Sequence, residues 1–334
     1  MFTMRAFLDA VGSSYGVGNL TYCQGLGTWG DQLRIKVADL GGTFHFIKEK
    51  PPYLSSAEYR QTLLVQEQMS RAGLKCASVY RSTDGDLTAN VLGRSYSVHE
   101  WLEGDSLSFS LCDLARVGEA LGKFHRASRS LGFDEYRPEP ACTQCLLPSV
   151  SAIAIRNMVA VLQAMKTALG HTETDSIVAI LEYAARRIDV GSLEIGWIHG
   201  DVHPYNLIGR NSLDPALIDF DEVRIGYTVI DIASSCVISA AWDWPTPTVL
   251  PSIRYGLRFD AVDSVIGGYC ATNELYRWDL ESAPFIMMVL LVRSFLDIKG
   301  PGSISPGGTA EAQRLLVLLR ELDGMAKSRC LMNF

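Results

Sequence analysis

Long apolar runs are missing from this chain. The longest clear one, Phe285 to Val292, ends at Arg293, well short of the roughly 20 residues that a membrane-spanning helix requires. The N-terminal segment around Arg5 and Asp9 has no continuous apolar core, so a secretory signal peptide is not expected either. A soluble, cytoplasmic protein with no membrane partner is the expectation. Positive charge is also in short supply: 30 Lys and Arg stand against 37 Asp and Glu, for a formal net charge of −7. That balance disfavours nucleic acid and other polyanions as partners and admits a neutral or cationic small molecule. Cysteine is sparse and scattered, 8 in 334 residues, which is not a disulfide framework. Cys142 and Cys145 make a lone CxxC without a second pair or a flanking histidine, so neither a zinc nor a redox centre is indicated. Internal repeats are absent as well.

What remains is 48% hydrophobic content over 334 positions, ample for a buried core and two lobes. Leu20 to Gln24 is a strand candidate, followed by the glycine-rich turn Gly25-Leu-Gly-Thr-Trp-Gly30. Leu33 to Ala38 alternates apolar and polar residues, the period of a half-buried strand, and Thr43 to Lys48 supplies a third strand. A strand rather than a helix follows the glycines, which argues against a dinucleotide fold. Gly25 and Gly27 admit positive φ and close backbone approach, so they can form a lid over phosphates. Lys48 ends the third strand, where a phosphate-pairing lysine belongs; Lys50, on the same face by the period of two, competes with it. Ser55 to Arg71 reads as a helix opened by the capping box Ser55-Ser-Ala-Glu58 and closed by Gly73. Glu58 and Glu67 are its two choices of carboxylate to orient the lysine. A strand at Val79, an Asp-Gly turn and the strand Arg94 to Glu100 follow. Backbone groups from Glu100 to Leu102 are then available to the edge of a nucleotide base.

Beyond Gly104 the periodicity turns helical. Leu114, Val117, Leu121 and Phe124 place an apolar stripe on a helix from Leu111 to Ser128, with His125 as a core histidine at its end. Further helices are expected over 152–169, 176–188, 229–241, 259–270, 283–296 and 310–325, with a Gly/Pro/Ser-rich loop over 300–308. The whole is a small mixed lobe, 1–101, followed by a larger, mainly helical lobe, 102–334.

Between those helices lies Trp197-Ile-His-Gly-Asp-Val-His-Pro-Tyr-Asn206, echoed by Leu217-Ile-Asp-Phe-Asp221. The two apolar runs read as a strand–loop–strand hairpin that presents Asp201, Asn206 and Asp219. Phosphoryl transfer needs a group to take or orient the nucleophile's proton, magnesium ligands, and positive charge on the phosphates. Magnesium takes oxygen ligands, one or two carboxylates plus substrate phosphates. Asp201 is thus expected to contact a substrate hydroxyl while Asn206 and Asp219 hold metal. His199 and His203 at i, i+4 would make a zinc pair only on a helix, and Gly200 with Pro204 argues for a loop.

His199-Gly-Asp-Val-His-Pro-Tyr-Asn206 followed by Ile218-Asp-Phe-Asp221 resembles the signature of the aminoglycoside phosphotransferase / choline kinase-like family. The resemblance extends to Tyr227–Asp231, Phe46-Ile-Lys48, Glu100-Trp-Leu-Glu-Gly104 and Leu121-Gly-Lys-Phe-His125, and so covers about residues 20 to 295. It implies an α+β, protein-kinase-like two-lobed fold with an antiparallel-sheet lobe carrying one helix, ATP or GTP as donor, and Mg2+. Position by position it implies Asp201 as catalytic base, Asn206 and Asp219 as metal ligands, Lys48 on the α/β-phosphates, and Asp231 as a buried brace for the catalytic loop. The family's helix glutamate falls near Thr62 here, which is a departure and leaves a catalytically silent, nucleotide- or metabolite-binding chain as the alternative. The acceptor is expected to be a hydroxyl of a small molecule: an amino alcohol, an aminoglycoside or other antibiotic, or a sugar-like metabolite. Asp243, Asp260, Asp263, Glu274, Asp279 and Glu281 would suit an amine on it.

Overall fold

The structure is a computed structural model and describes residues 3–26, 32–131, 150–209, 214–246, 251–275, 277–298 and 308–328. Its backbone divides into two compact units, Met1–Asp105 with Ile208–Val223 and Ser106–Leu207 with Arg224–Phe334. A single cut at 101/102 is linear, whereas these units are not. Ile208–Val223 joins the first because Leu217 donates its N–H to the Lys75 carbonyl (2.9 Å) and bridges to Cys76.

In the first unit the alternating segments form strands β1 (Thr21–Gly25), β2 (Arg34–Ala38), β3 (Phe44–Glu49), β4 (Ala89–Val91) and β5 (Arg94–Glu100). They make one antiparallel sheet in the order β1-β2-β3-β5-β4. Helix α1 (Met4–Tyr15) covers one face, packing Phe7, Leu8, Val11 and Tyr15 against Ile35, Val37, Ile47 and Val98. Burial of each such side chain is worth roughly 1.5–3 kcal/mol, enough to hold a helix of this length in place. The expectation of one helix in this lobe is corrected: α1 is a second. Helix α2 (Ser56–Arg71) is the expected one, with both halves of the capping box formed at Ser55 and Glu58. Its Tyr59 and Leu63 form a second apolar cluster with Val79 and Leu87. The strand expected at Val79 is corrected as well. That segment makes a single bridge to His99, and the edge strand is Ala89–Val91.

The second unit is mainly helical. Helices α3 (Leu111–Ser128), α4 (Ala152–Ala164), α5 (Lys166–Leu169) and α6 (His171–Arg187) precede strand β6 (Ile195–Ile198). Strand β7 (Leu207–Ile208) falls at the boundary, strand β8 (Ala216–Leu217) lies in the segment that belongs to the first unit, and β9 (Arg224–Tyr227) with helices α7 (Thr228–Ala241), α8 (Phe259–Cys270), α9 (Arg277–Ile298) and α10 (Gly308–Ser328) completes the second. The single helix expected over 152–169 is split at Met165. The hairpin is redrawn too: β6 pairs antiparallel with β9, Trp197 opposite Ile225, and not with the run beginning at Leu217. The apolar run 285–292 is buried throughout, as the centre of the helical core in α9. Among the described residues no helix is long and apolar enough to cross a membrane.

Helices α3 and α8 touch at backbone distance. A Cβ on Gly118 would lie 2.0 Å from the Val265 carbonyl oxygen, and one on Gly268 would lie 1.9 Å from that of Ala115. Only glycine allows this approach. It brings His125 on α3 within hydrogen-bond reach of Tyr269 on α8 (2.9 Å).

Candidate active site

Each unit carries one cluster of the expected residues. In the first, the period of two turns Ile47 towards α1 and Phe46 and Lys48 to the other face. Lys48, opposite Arg34 on β2 and Ser97 on β5, is 5% exposed. Its ammonium lies 2.6 Å from Asp219 Oδ1 and 2.6 Å from Asp221 Oδ2. Arg34 brings its guanidinium to 3.8 Å from Asp219 and 4.0 Å from Asp221. Two cations thus face two carboxylates. Burial pushes the Asp221 carboxyl up against the opposing charge of Lys48, and the neighbouring Asp219 adds to the rise. Asp219 sits in the left-handed region (φ 63°, ψ 64°), a backbone state more common at functional turns than in regular structure.

Neither helix glutamate is the partner of this lysine. Glu58 accepts from the Ser55 N–H (2.7 Å) as the capping box requires, and Glu67 accepts from Arg81 (2.6 Å) and Arg71 (3.0 Å). Lys50 donates to the carbonyls of Pro51 and Leu54, which removes it as a rival to Lys48. Where a carboxylate would stand, α2 presents neutral groups. Tyr59 OH meets Ser97 Oγ (2.6 Å), Ser97 meets His99 Nε2 (2.7 Å), and Gln66 donates to the Ala77 carbonyl (2.8 Å). Burial, and then the charge of Lys48, push the His99 imidazole down to about 3, so the ring is neutral. Gly25 closes β1 opposite Ile35; Gly27 lies outside the described residues. Glu100 ends β5 with its N–H already bonded to the Ser78 carbonyl (2.9 Å) and its carboxylate on Ser78 Oγ (3.0 Å); Leu102, half-buried, lies just beyond.

In the second unit the loop after β6 is held by Asp231, in the first turn of α7. Its Oδ2 accepts from the His199 N–H (2.6 Å) and its Oδ1 from the Gly200 N–H (2.8 Å), the latter presented by a left-handed Gly200 (φ 87°). His125 Nε2 approaches the same Oδ2 at 3.1 Å. The Asp231 carboxylate can only accept, so His125 Nε2–H donates to it; His125 Nδ1 lies 2.9 Å from Tyr269 OH, and that hydroxyl accepts from the Asn273 amide (2.6 Å). Burial alone would raise the Asp231 carboxyl, but the hydrogen bond and charge of His125, helped by His199 and the Gly200 N–H, hold it below the usual carboxylate range. The loop then reaches Asn206, whose Nδ2 donates both to the Asp201 carbonyl (2.8 Å) and to Asp201 Oδ2 (3.0 Å). With both amide hydrogens committed, the Asn206 carbonyl oxygen is left as an acceptor or ligand atom. Asn206 is buried while Asp201 keeps 41% of its side chain exposed, and His203 Nε2 lies 3.5 Å from Asp201 Oδ2.

Among the described residues no three His, Cys, Asp or Glu side chains form a ready-made metal cage. That donor set would be wrong for Mg2+ in any case, which binds nucleotides through one or two carboxylates, water and phosphate oxygens. The amide oxygen of Asn206 and the carboxylate of Asp219 are each a hard oxygen donor of the kind that suits the ion.

Residues 31–266 match the sequence profile described as the phosphotransferase enzyme family. The chain belongs to this family. As a member of the phosphotransferase enzyme family it transfers phosphoryl groups. No curated protein matches it in sequence. Among solved structures, an aminoglycoside phosphotransferase from Alicyclobacillus acidocaldarius is 16% identical, with 96% of each chain covered and a TM-score of 0.63. A microcompartment-associated aminopropanol kinase is 16% identical, with 94% of each covered and a TM-score of 0.66. The amicoumacin kinase hAmiN, solved with AMP-PNP, Ca2+ and Ami, is 15% identical over 97% of this chain and 94% of its own, TM-score 0.59. At such identities the likeness is one of fold: the α+β, kinase-like architecture of an antiparallel-sheet lobe and a larger helical lobe.

Sequence reasoning missed Arg34 and Asp221. The strand period places Arg34 on the lysine's face and was the usable signal. For Asp221 there was none, because its approach to Lys48 spans 173 positions of chain. It also missed Phe109, Tyr205 and Trp244, which gather around His203.

Proposed function

We propose that the chain transfers the γ-phosphoryl group of ATP or GTP to a hydroxyl of a small molecule in the cytoplasm. The observation that supports this most directly is the pairing of Asp201 with Asn206 on a loop braced by Asp231. It leaves one exposed carboxylate held in a fixed orientation and one amide oxygen free to serve as a ligand. Asp201 accepts the hydrogen bond of the acceptor hydroxyl and takes its proton as the oxygen attacks the γ-phosphorus. The bond from that phosphorus to the bridging oxygen breaks, and its electron pair leaves with the nucleoside diphosphate. Lys48 and Arg34 place positive charge beside Asp219 and Asp221, where phosphate oxygens can replace a carboxylate as their partner. Asn206 and Asp219 are the proposed ligands of Mg2+, which supplies charge neutralisation on the β- and γ-oxygens when bound with the nucleotide. Gly25, Gly27, Glu100 and Leu102 are the proposed backbone contacts of the nucleotide.

The test is phosphate transfer from Mg-ATP across a panel of amino alcohols, aminoglycosides and sugars with the wild-type chain and Asp201→Asn. Loss of about 10²–10⁴-fold in turnover with an unchanged melt is expected for a base; full turnover by the variant would refute the assignment. A second reading is favoured by the engagement of Glu58 and Glu67 away from Lys48: a nucleotide-binding chain without turnover. Mg-ATP that raises the melting temperature, with no transfer to any alcohol, would favour it.

A further inference from the structure

Four rings gather beside Asp201 in the second unit. The Trp244 indole lies parallel to His203 (centroids 6.2 Å, 10° between planes) and to Phe109 (6.3 Å, 5°). Tyr205 stands edge-on to all three, at 6.2 Å from Trp244, 6.1 Å from His203 and 5.4 Å from Phe109. Their positions are tied down: the Trp244 N–H donates to the Ile238 carbonyl (3.3 Å) and Tyr205 OH to the Trp244 carbonyl (3.5 Å). Tyr205 lies on the loop between Asp201 and Asn206, and His203 touches Asp201 itself.

Rings that merely fill a core are buried, as Trp197 and Phe124 are at 0% exposure, whereas all four of these keep part of their surface in solvent. Partly exposed aromatic rings next to a carboxylate are a recognition surface. Charge decides what kind of guest they favour. Asp243 is taken up by Arg254 (2.5 Å) and Asp260 by Arg258 (3.3 Å). Those same arginines hold the backbone that carries the rings, Arg254 on the Trp242 carbonyl (3.2 Å) and Arg258 on the Phe109 carbonyl (3.2 Å). Two of the carboxylates that would have welcomed a polyamine are thus paired internally with arginine.

We infer that this aromatic wall is the acceptor subsite and that it selects an alcohol carrying a flat aromatic ring. The ring packs on the exposed parts of Trp244 and its neighbours and delivers the hydroxyl to Asp201. As an acceptor site it rests on the phosphotransfer reading, but the binding step can be measured without nucleotide. Saturation-transfer NMR on the full chain, with 2-phenylethanol, choline and 2-deoxystreptamine as probes, reads it directly. Signal on the aryl protons of 2-phenylethanol is expected, and binding about tenfold weaker in Trp244→Ala. Trp244→Phe, which keeps a stacking face, restores most of it. Binding of 2-deoxystreptamine or choline with none of 2-phenylethanol would overturn the inference while leaving phosphotransfer intact. So would an unchanged aryl signal in a Trp244→Ala chain that still melts cooperatively. A wild-type chain that binds 2-phenylethanol but transfers phosphate to no alcohol would instead overturn the proposed function.

Discussion

Asp231→Asn isolates the bracing of the Asp201 loop. The native carboxylate accepts three hydrogen bonds from buried or half-buried donors: the His199 N–H and His125 Nε2–H on Oδ2, and the Gly200 N–H on Oδ1. Asparagine has a single oxygen. If it takes the place of Oδ2, the Gly200 N–H faces an amide donor; if it takes the place of Oδ1, two donors are orphaned. Each unsatisfied buried group costs about 1–3 kcal/mol, and a charged acceptor is roughly twice as strong as a neutral one. The sum is about 2–4 kcal/mol, or roughly 3–6 °C in melting temperature for a chain of this length. Displacement of the loop by about 1 Å would lower turnover about a hundredfold. A depressed carboxyl contributes stability that is fully present above its unfolded-state value and is lost as pH falls through the folded-state value. For Asp231, held below 3.8, that window lies at pH below 3.8. The stability gap between variant and wild type is therefore constant from roughly pH 5 to 8 and closes only in strong acid. Thermal melts by circular dichroism across pH, with Mg-ATP turnover at neutral pH, measure both effects. A variant that melts and turns over like wild type would refute the claim that Asp231 holds this loop.

Three further outcomes are expected. His99 is neutral with its value near 3, against an ordinary 6.5. The unfolded chain therefore takes a proton first, and stability falls by about 1.4 kcal/mol per pH unit below 6.5. His99→Gln removes that slope, so the stability difference from wild type should shift by about 2–3 kcal/mol between pH 6.5 and 4.5; parallel pH curves would rule this out. Lys48→Met removes the nearer of the two cations that face Asp219 and Asp221, at a cost of about 3–5 kcal/mol. Because Asp221 titrates above its ordinary 3.8, the penalty grows as pH rises past that value, and adding Asp221→Asn should recover part of the loss in urea unfolding. Gly268→Ala drives a methyl group into the Ala115 carbonyl and should destabilise by about 1–3 kcal/mol or more in the same assay, with loss of turnover as Tyr269 moves off His125.

Local patterns carried much of the fold. The alternation in Leu33–Ala38 and Thr43–Lys48, the capping box at Ser55 and the stripe on Leu111–Ser128 each matched the element observed, because strand and helix periods are properties of neighbouring residues. Helix α1 was legible by the same rule, with Phe7, Leu8, Val11 and Tyr15 at helical spacing, but that stretch was read only for targeting. The hairpin was misdrawn because strand pairing is non-local. Trp197 and Leu217 look like partners in sequence, yet backbone hydrogen bonds join β6 to β9, while Leu217 lies in the separate β7–β8 pair and also bonds to the Lys75–Cys76 segment.

By itself the sequence determined which residues were candidates for chemistry here. Asp201 and Asn206 stand on one short loop, Lys48 on a strand face, and Asp219 at the end of an apolar run, all set by intervals of a few residues. Only the tertiary structure decided what those residues face. Lys48 meets Asp219 and Asp221 instead of a helix glutamate, Asp231 is wired through His125 to α8, and four separated aromatics converge beside Asp201. Each of these contacts is a close packing of groups more than 30 positions apart or on different elements. Steric fit and the need to satisfy buried polar groups select such contacts, and no interval along the chain encodes them.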